Sequence, residues 1–152
     1  MNRNKFLKTL QMIESSGGKN FNHPEIEAGI HEGHRAAGRY GLMPNTTNEV
    51  VDRMTRDGRL PASMSDFKEL NLEPDLIKAR LETNPDEEQA IAEYLADHVL
   101  KRQDGDEEKA AYSWHMGHNL TPDAIEKRPY QDSDYVKKYN QFSKIKNIVD
   151  NK

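Results

Sequence analysis

The placement of glycine constrains the fold of this chain more than any other feature of its sequence. Seven of the nine glycines lie between Gly17 and Gly58, in a chain of 152 residues. Glycine destabilises the interiors of helices and strands, so this segment is predicted to consist largely of loops and turns. Long regular elements are therefore expected before Gly17 and after Gly58.

Outside the glycine-rich segment, apolar residues recur every three to four positions, which is the period of an amphipathic helix. Asn84-Pro85, Asp106, Thr121-Pro122 and Ser133 are typical helix starts, with a capping side chain or a first-turn proline. Thr46-x-x-Glu49 matches a capping box that opens a helix ending at Gly58. The predicted helices cover residues 4–14, 46–58, one or two short stretches within 65–82, 84–101, 106–115, a short turn after 121, and 133–149.

The sequence therefore predicts a mainly α protein with a small irregular or short β-hairpin lobe. Its length fits a single domain over residues 1–152. Leu, Ile, Val and Phe supply only 28 residues, so we expect one modest core under a very polar surface.

Composition excludes several classes of function. The absence of cysteine rules out disulfides, a thiol nucleophile and a zinc–thiolate site. A net charge of −4, from 26 acidic and 22 basic residues, argues against a nucleic-acid binder. No apolar run approaches the ~20 residues of a membrane-spanning helix. The N-terminal segment lacks the apolar stretch of a secretory signal peptide, so synthesis in a bacterial host cytoplasm is expected.

Glu14 stands at the end of the first predicted helix, directly before Ser15-Ser16-Gly17-Gly18. The negative end of the helix dipole lies there and, with partial burial, is expected to raise the pKa of Glu14. A carboxyl group that stays protonated near neutral pH is what a general acid requires. The alternative is a surface acid that closes a helix.

Glu14-Ser15-Ser16-Gly17-Gly18, then Gly41-Leu42-Met43, then an aromatic-x-x-Gly turn after a helix, resemble the signature of the lytic transglycosylase and goose-type lysozyme superfamily. That signature is Glu-Ser-Gly/Ser-Gly, Gly-Leu-Met-Gln and Tyr-Asn-x-Gly. Here Pro44 stands at the glutamine, and Trp114-His115-Met116-Gly117 stands at the third motif. Tyr135-Val136 resembles the closing Tyr-Val element, so the likeness covers residues 4–140.

The resemblance implies a lysozyme-like fold that cleaves the β-1,4 bond between N-acetylmuramic acid and N-acetylglucosamine in peptidoglycan. Glu14 would protonate the leaving oxygen, and Gly41 would let the backbone approach a sugar closely. Trp114 could stack on a sugar ring. The substrate-binding residues implied are Ser15, Tyr40, Gly41, Leu42, Met43, Tyr112, Trp114 and His115.

A second carboxylate is implied if water is the nucleophile. Glu32 is the candidate, because goose-type enzymes carry an acid in the region before the Gly-Leu-Met strip; Glu25 and Glu27 are alternatives. An inverting hydrolase holds its two carboxyl groups roughly 6.5–9.5 Å apart. A transglycosylase would instead use Glu14 to accept the proton of the muramoyl 6-hydroxyl and form a 1,6-anhydro product.

Histidines are also frequent in the glycine-rich segment. His31-Glu32-Gly33-His34 lacks the His-Glu-x-x-His spacing of a zinc protease, because Arg35 occupies the fifth position. We expect no metal and no cofactor.

The leading hypothesis is a monomeric peptidoglycan lytic transglycosylase or muramidase, acting on glycan strands after release from the cytoplasm. The stretch Ala36-Ala37-Gly38-Arg39-Tyr40 resembles phage endolysins of other lysozyme-like families and favours a role in host lysis. The alternative is a non-catalytic, glycan-binding virion or wall-apparatus component of the same fold. A small helical regulator of another protein is a third interpretation.

Overall fold

The computed structural model of the protein describes residues 3–21, 23–24, 35–70 and 73–145. Within these ranges the chain is mainly helical, which confirms the predicted class. Its α-helices are α1 (Arg3–Ser15), α2 (Pro44–Arg56), α3 (Pro74–Thr83), α4 (Pro85–Arg102), α5 (Glu107–Met116), α6 (Pro122–Glu126) and α7 (Asp134–Ser143). Short 3-10 helices cover Ala62–Met64, Phe67–Leu70 and Tyr130–Asp132.

Most helix starts lie where the sequence predicts them. The side chain of Asp106 accepts a hydrogen bond from the Lys109 amide at 3.1 Å and caps α5. Ser133 caps α7 in the same way, accepting from the Val136 amide at 3.2 Å. The helix predicted as far as residue 149 ends at Ser143, and residues beyond 145 lie outside the described part of the chain.

The start of α2 corrects one prediction. The helix begins at Pro44, two residues before the proposed capping box, and Met43 is its N-cap with no side-chain cap bond. Proline suits the first helical position because it needs no amide partner and its φ is already helical. Thr46 therefore lies inside the helix, and Glu49 pairs with Arg53 one turn later at 2.8 Å.

The segment before α2 forms a tight turn. Ala37 and Leu42 exchange two backbone hydrogen bonds, of 2.8 and 3.0 Å, in an antiparallel bridge that closes residues 38–41. Within the described ranges this bridge is not extended into a strand pair, so the part of this lobe that can be seen is irregular.

The chain divides into two compact units, one drawn from Met1–Ile13 and Leu95–Lys152 and the other from Glu14–Tyr94. In the first, α5 packs against α6 and α7 around buried Tyr112, Ile125 and Val136. In the second, α2 packs against α3. No helix in the described ranges combines the length and apolar character needed to cross a membrane.

Helical spacing in the sequence predicts one buried stripe on α4, formed by Ile91, Tyr94, Leu95, His98 and Val99, and the structure agrees in part. Ile91, Leu95 and Val99 are buried, whereas Tyr94 and His98 keep part of their surface exposed. The same stripe extends toward the start of the helix as far as the carboxyl group of Glu88, which lies one helical turn before Ile91 and is only 1% exposed.

Candidate functional site

Glu14 lies in the last turn of α1, at a sharply defined helix end. Ser16, Gly17 and Gly18 all have positive φ, of 52°, 76° and 91°. The chain turns back so tightly that the carbonyl of Ser15 accepts the amides of Gly18, Lys19 and Asn20, at 3.2, 2.9 and 3.0 Å. The paired glycines thus end the helix as predicted and leave Glu14 half-buried beside the turn.

Ser15 ties this helix end to the Gly-Leu-Met segment. Its side chain is buried, donates to the carbonyl of Arg39 at 2.8 Å and accepts from the amide of Gly18 at 2.9 Å. The hydroxyl thus joins the end of α1 to the turn of residues 38–41. The substrate contact that the resemblance implies for Ser15 stays a prediction.

The carboxyl group of Glu14 lies directly over the backbone of Gly41. A β-carbon at Gly41 would be 2.4 Å from Glu14 Oε1 and 2.6 Å from its Cδ. Gly41 also has a φ of +63°, which side-chain-bearing residues rarely adopt. Glycine is therefore required at position 41 for two reasons, the close approach of Glu14 and the positive φ. Residues from the first two sequence motifs meet at this point.

The turn of residues 38–41 is held by side chains that the sequence did not single out. The Gly38 amide donates to Glu82 at 2.9 Å, and the Gly38 carbonyl lies 2.8 Å from Nε2 of buried His23. A carbonyl can only accept, so Nε2 carries the proton in this bond. These partners satisfy both backbone polar groups of Gly38.

Glu88 is the most deeply buried partner of the turn. Its Oε2 accepts the Arg39 amide at 2.8 Å, and its Oε1 accepts the Arg39 side-chain Nε at 2.9 Å. The Tyr40 amide also hydrogen-bonds this carboxylate. Burial raises the pKa of Glu88, although the hydrogen bonds and charge of Arg39 act in the opposite direction.

A signal for Glu88 was present in the sequence. It lies three residues before Ile91 and seven before Leu95, on the predicted apolar stripe of α4. A carboxylate on such a stripe must find a partner when it is buried. Asp86, Glu87 and Glu88 also suit the positive end of the helix dipole, so the start of α4 already offers a local explanation for this run of acids.

Three of the predicted substrate-binding side chains are enclosed. Tyr40 is fully buried, and its hydroxyl donates to Gln89 Oε1 at 2.5 Å. Leu42 is 2% exposed, and Tyr112 is 8% exposed and packed edge-on to Tyr130. Their side chains are enclosed by the surrounding structure, and the substrate contact that the resemblance implies for them stays a prediction. Met43 remains half-buried at the start of α2.

Trp114 and His115 belong to the other compact unit. Trp114 is partly exposed, with its ring edge-on to Phe6 at a centroid distance of 6.2 Å. The ring of His115 stacks on Tyr135 at 4.5 Å, with an interplanar angle of 7°. Partial desolvation lowers the pKa of His115, and the positive charge of Lys138 lowers it further, although the residue stays exposed to solvent.

The candidate second carboxylates cannot be located. Glu25, Glu27 and Glu32 all lie outside the described residues, as do His31 and His34. In the ranges that are described, no three His, Asp or Glu side chains form a group that could hold a metal ion.

Comparisons of the chain with protein-family models, with curated proteins and with solved structures found no match.

Proposed function

We propose that this protein is a peptidoglycan-cleaving glycosidase with a lysozyme-like fold, in which Glu14 acts as the general acid. The observation that carries the proposal is the position of the Glu14 carboxyl group over Gly41. Two short motifs, 27 positions apart in sequence, converge on one point, and each of the two residues has the type that the superfamily signature requires there.

The placement of Glu14 suits a proton donor. It is half-buried in the last turn of a helix that carries no basic residue in that turn, and the negative end of the helix dipole lies there. A raised pKa remains the prediction for this carboxyl group. Proton transfer to the glycosidic oxygen would then proceed from a group that is still protonated at neutral pH.

The backbone next to Glu14 makes room for its carboxyl group. Gly41 has no side chain, and φ values at Gly38 and Gly41 of +67° and +63° turn the chain away abruptly. Arg39 is partly exposed, at 25% of its side chain, and could attract the acidic lactyl group of a muramoyl residue. This local charge would compensate for a chain whose net charge is negative.

Digestion of purified peptidoglycan distinguishes transglycosylation from hydrolysis. We expect the wild-type protein to release muropeptides, which mass spectrometry would assign to 1,6-anhydro ends for a transglycosylase or to reducing ends for a hydrolase. Glu14→Gln keeps the shape of the side chain and removes the transferable proton, so its release should fall to background. Release by Glu14→Gln at the wild-type rate would refute the role of Glu14.

A non-catalytic, glycan-binding component is the second candidate. It is favoured by Pro44, which stands where the signature has glutamine and is buried as the first residue of α2. That position therefore offers a substrate neither a polar side chain nor an amide. Glycan binding without turnover, unchanged in Glu14→Gln, would support this candidate over the enzyme.

The biological setting is proposed on the same basis. A phage endolysin would accumulate in the host cytoplasm and reach the wall after the membrane has been opened by another protein. Its partners would be the glycan strands of peptidoglycan, and the protein would act as a monomer without a cofactor.

A further inference from the structure

Buried Glu88 forms an ion pair with Arg39, whose side chain is 25% exposed, on the side of the turn that faces α4. The Glu88 side chain is 2% exposed and lies 2.9 Å from Arg39 Nε. The guanidinium is held further by the Pro85 carbonyl at 2.9 Å and by Gln89 Oε1 at 3.4 Å. The guanidinium is the charged partner that the buried Glu88 carboxylate requires, because an unpaired carboxylate would be costly to bury there.

The peptide unit on each side of Arg39 is bound to a different helix. The Arg39 amide donates to Glu88 on α4, and the Arg39 carbonyl accepts from Ser15 on α1. Ser15 directly follows Glu14. The backbone of Arg39 therefore links the buried carboxylate to the helix turn that carries Glu14.

Glycine at position 38 makes this arrangement possible. A β-carbon there would lie 2.0 Å from Glu88 Oε2 and 2.8 Å from its Cδ. At the other end of the turn, a β-carbon on Gly41 would meet the carboxyl group of Glu14 at 2.4 Å. The two glycines thus let two carboxyl groups approach one short turn, Glu88 at residue 38 and Glu14 at residue 41.

We propose that Glu88 is a positioning residue for Glu14, holding residues 38–41 so that Gly41 fixes where the Glu14 carboxyl group lies. Glu88 is enclosed and bonded to Arg39, so it acts through the turn and does not touch substrate. This inference rests on the proposed glycosidase function and adds a residue to its machinery.

Glu88→Gln tests the proposal with little change in shape. An amide nitrogen in place of one carboxylate oxygen cannot accept from Arg39, so one of the two hydrogen bonds between them becomes a contact between donors. We expect kcat to fall about 10- to 100-fold, because a misplacement of about 1 Å can cost about 100-fold. KM should stay within about threefold, because Arg39 keeps its charge and its contacts with the Pro85 carbonyl and Gln89.

Glu87→Gln is a matched control in the same helix turn. Glu87 is also buried and also paired with an arginine, accepting from Arg80 Nε at 2.6 Å, but none of its hydrogen bonds reaches the turn of residues 38–41. Arg80 lowers the pKa of Glu87, so neutralising Glu87 should destabilise the fold. We expect kcat in Glu87→Gln to stay within about twofold of wild type. A folded Glu88→Gln variant with wild-type kcat, or an equal loss in both variants, would overturn the proposal.

A second pair of variants tests the positioning role of Glu88 if Glu88→Gln does not fold. Gly38→Ala drives a methyl group against the Glu88 carboxylate, whereas Gly58→Ala has nearly the same φ, +68° against +67°, and no atom within 4 Å of the added carbon. A loss of at least about tenfold in kcat is expected only in Gly38→Ala. Equal kcat values in the two alanine variants would contradict the positioning role.

The proposed function and the positioning role can fail separately. If the wild-type protein releases no muropeptide, the glycosidase proposal fails, and NMR then tests the geometry alone. The Gly41 amide and the Glu14 carboxyl carbon resonances should shift in Glu88→Gln and remain in place in Glu87→Gln. Unchanged resonances in Glu88→Gln would show that Glu88 does not position Glu14.

Discussion

Replacing Gly41 with alanine perturbs the contact on which the proposed site depends. The added carbon would lie 2.4 Å from Glu14 Oε1, whereas ordinary contacts begin at 3.4 Å, so the carboxyl group must withdraw by about 1 Å. The φ of +63° adds a backbone cost of about 1–2 kcal/mol for any residue with a side chain. The variant therefore combines general strain with a local displacement of Glu14.

Gly58→Ala separates these two effects. Gly58 has a φ of +68°, and an added β-carbon there meets nothing within 4 Å. Both variants should lose a similar free energy of unfolding, about 1–2 kcal/mol, because Glu14 can relieve the clash by rotating its flexible side chain. Only Gly41→Ala should lose activity strongly, by about 100-fold, since the acid is displaced from its working position.

Urea unfolding and initial rates of muropeptide release, measured on both variants, provide the comparison. A Gly41→Ala protein that retains the wild-type rate would show that the position of the Glu14 carboxyl group is not tied to Gly41. An equal loss of rate in Gly58→Ala would show that backbone strain, and not the contact with Glu14, accounts for the effect.

Three further predictions concern stability. Ser15→Ala should lower the free energy of unfolding by about 1–3 kcal/mol in urea titrations, because the Arg39 carbonyl loses its donor and the Gly18 amide its acceptor; a loss below about 0.5 kcal/mol would contradict this. Asp106→Ala should lower it by about 1 kcal/mol through loss of the α5 cap, and an unchanged urea midpoint would argue against a cap in solution. The lowered pKa of His115 means that the folded state favours the neutral imidazole. The stability that this preference contributes is fully present above the unfolded pKa of about 6.5, and it is lost as pH falls through the lowered pKa of the folded state. Wild type should therefore lose more stability than His115→Asn between pH 7.5 and 5.5, and equal losses would refute the argument.

Local rules predicted the ends of the helices well. Asp106 and Ser133 cap the helices that they were expected to cap, and the glycines after Ser15 end α1. These outcomes depend on residues within one helical turn, which the sequence displays directly. The prediction of a capping box at Thr46 was wrong because the helix starts two residues earlier, at Pro44. The fixed φ of proline already suits the first helical position.

The candidate site depends on contacts that local rules do not reach. Glu14 and Gly41 are adjacent in space, but their separation in the sequence does not predict this contact. Only the resemblance to a family signature suggested that the two residues belong to one site. The pairing of Glu88 with Arg39 spans 49 positions and was missed. Its carboxylate already had a sufficient local explanation at the start of α4, and no local pattern shows which arginine a buried acid will meet.

The rate of muropeptide release from purified peptidoglycan by wild type and Glu14→Gln, both shown to be folded, tests the central claim most directly. The account predicts release by wild type and a rate at least about 100-fold lower for Glu14→Gln, because the proton donor is absent. Equal rates for the two proteins, or no release by folded wild type, would contradict it.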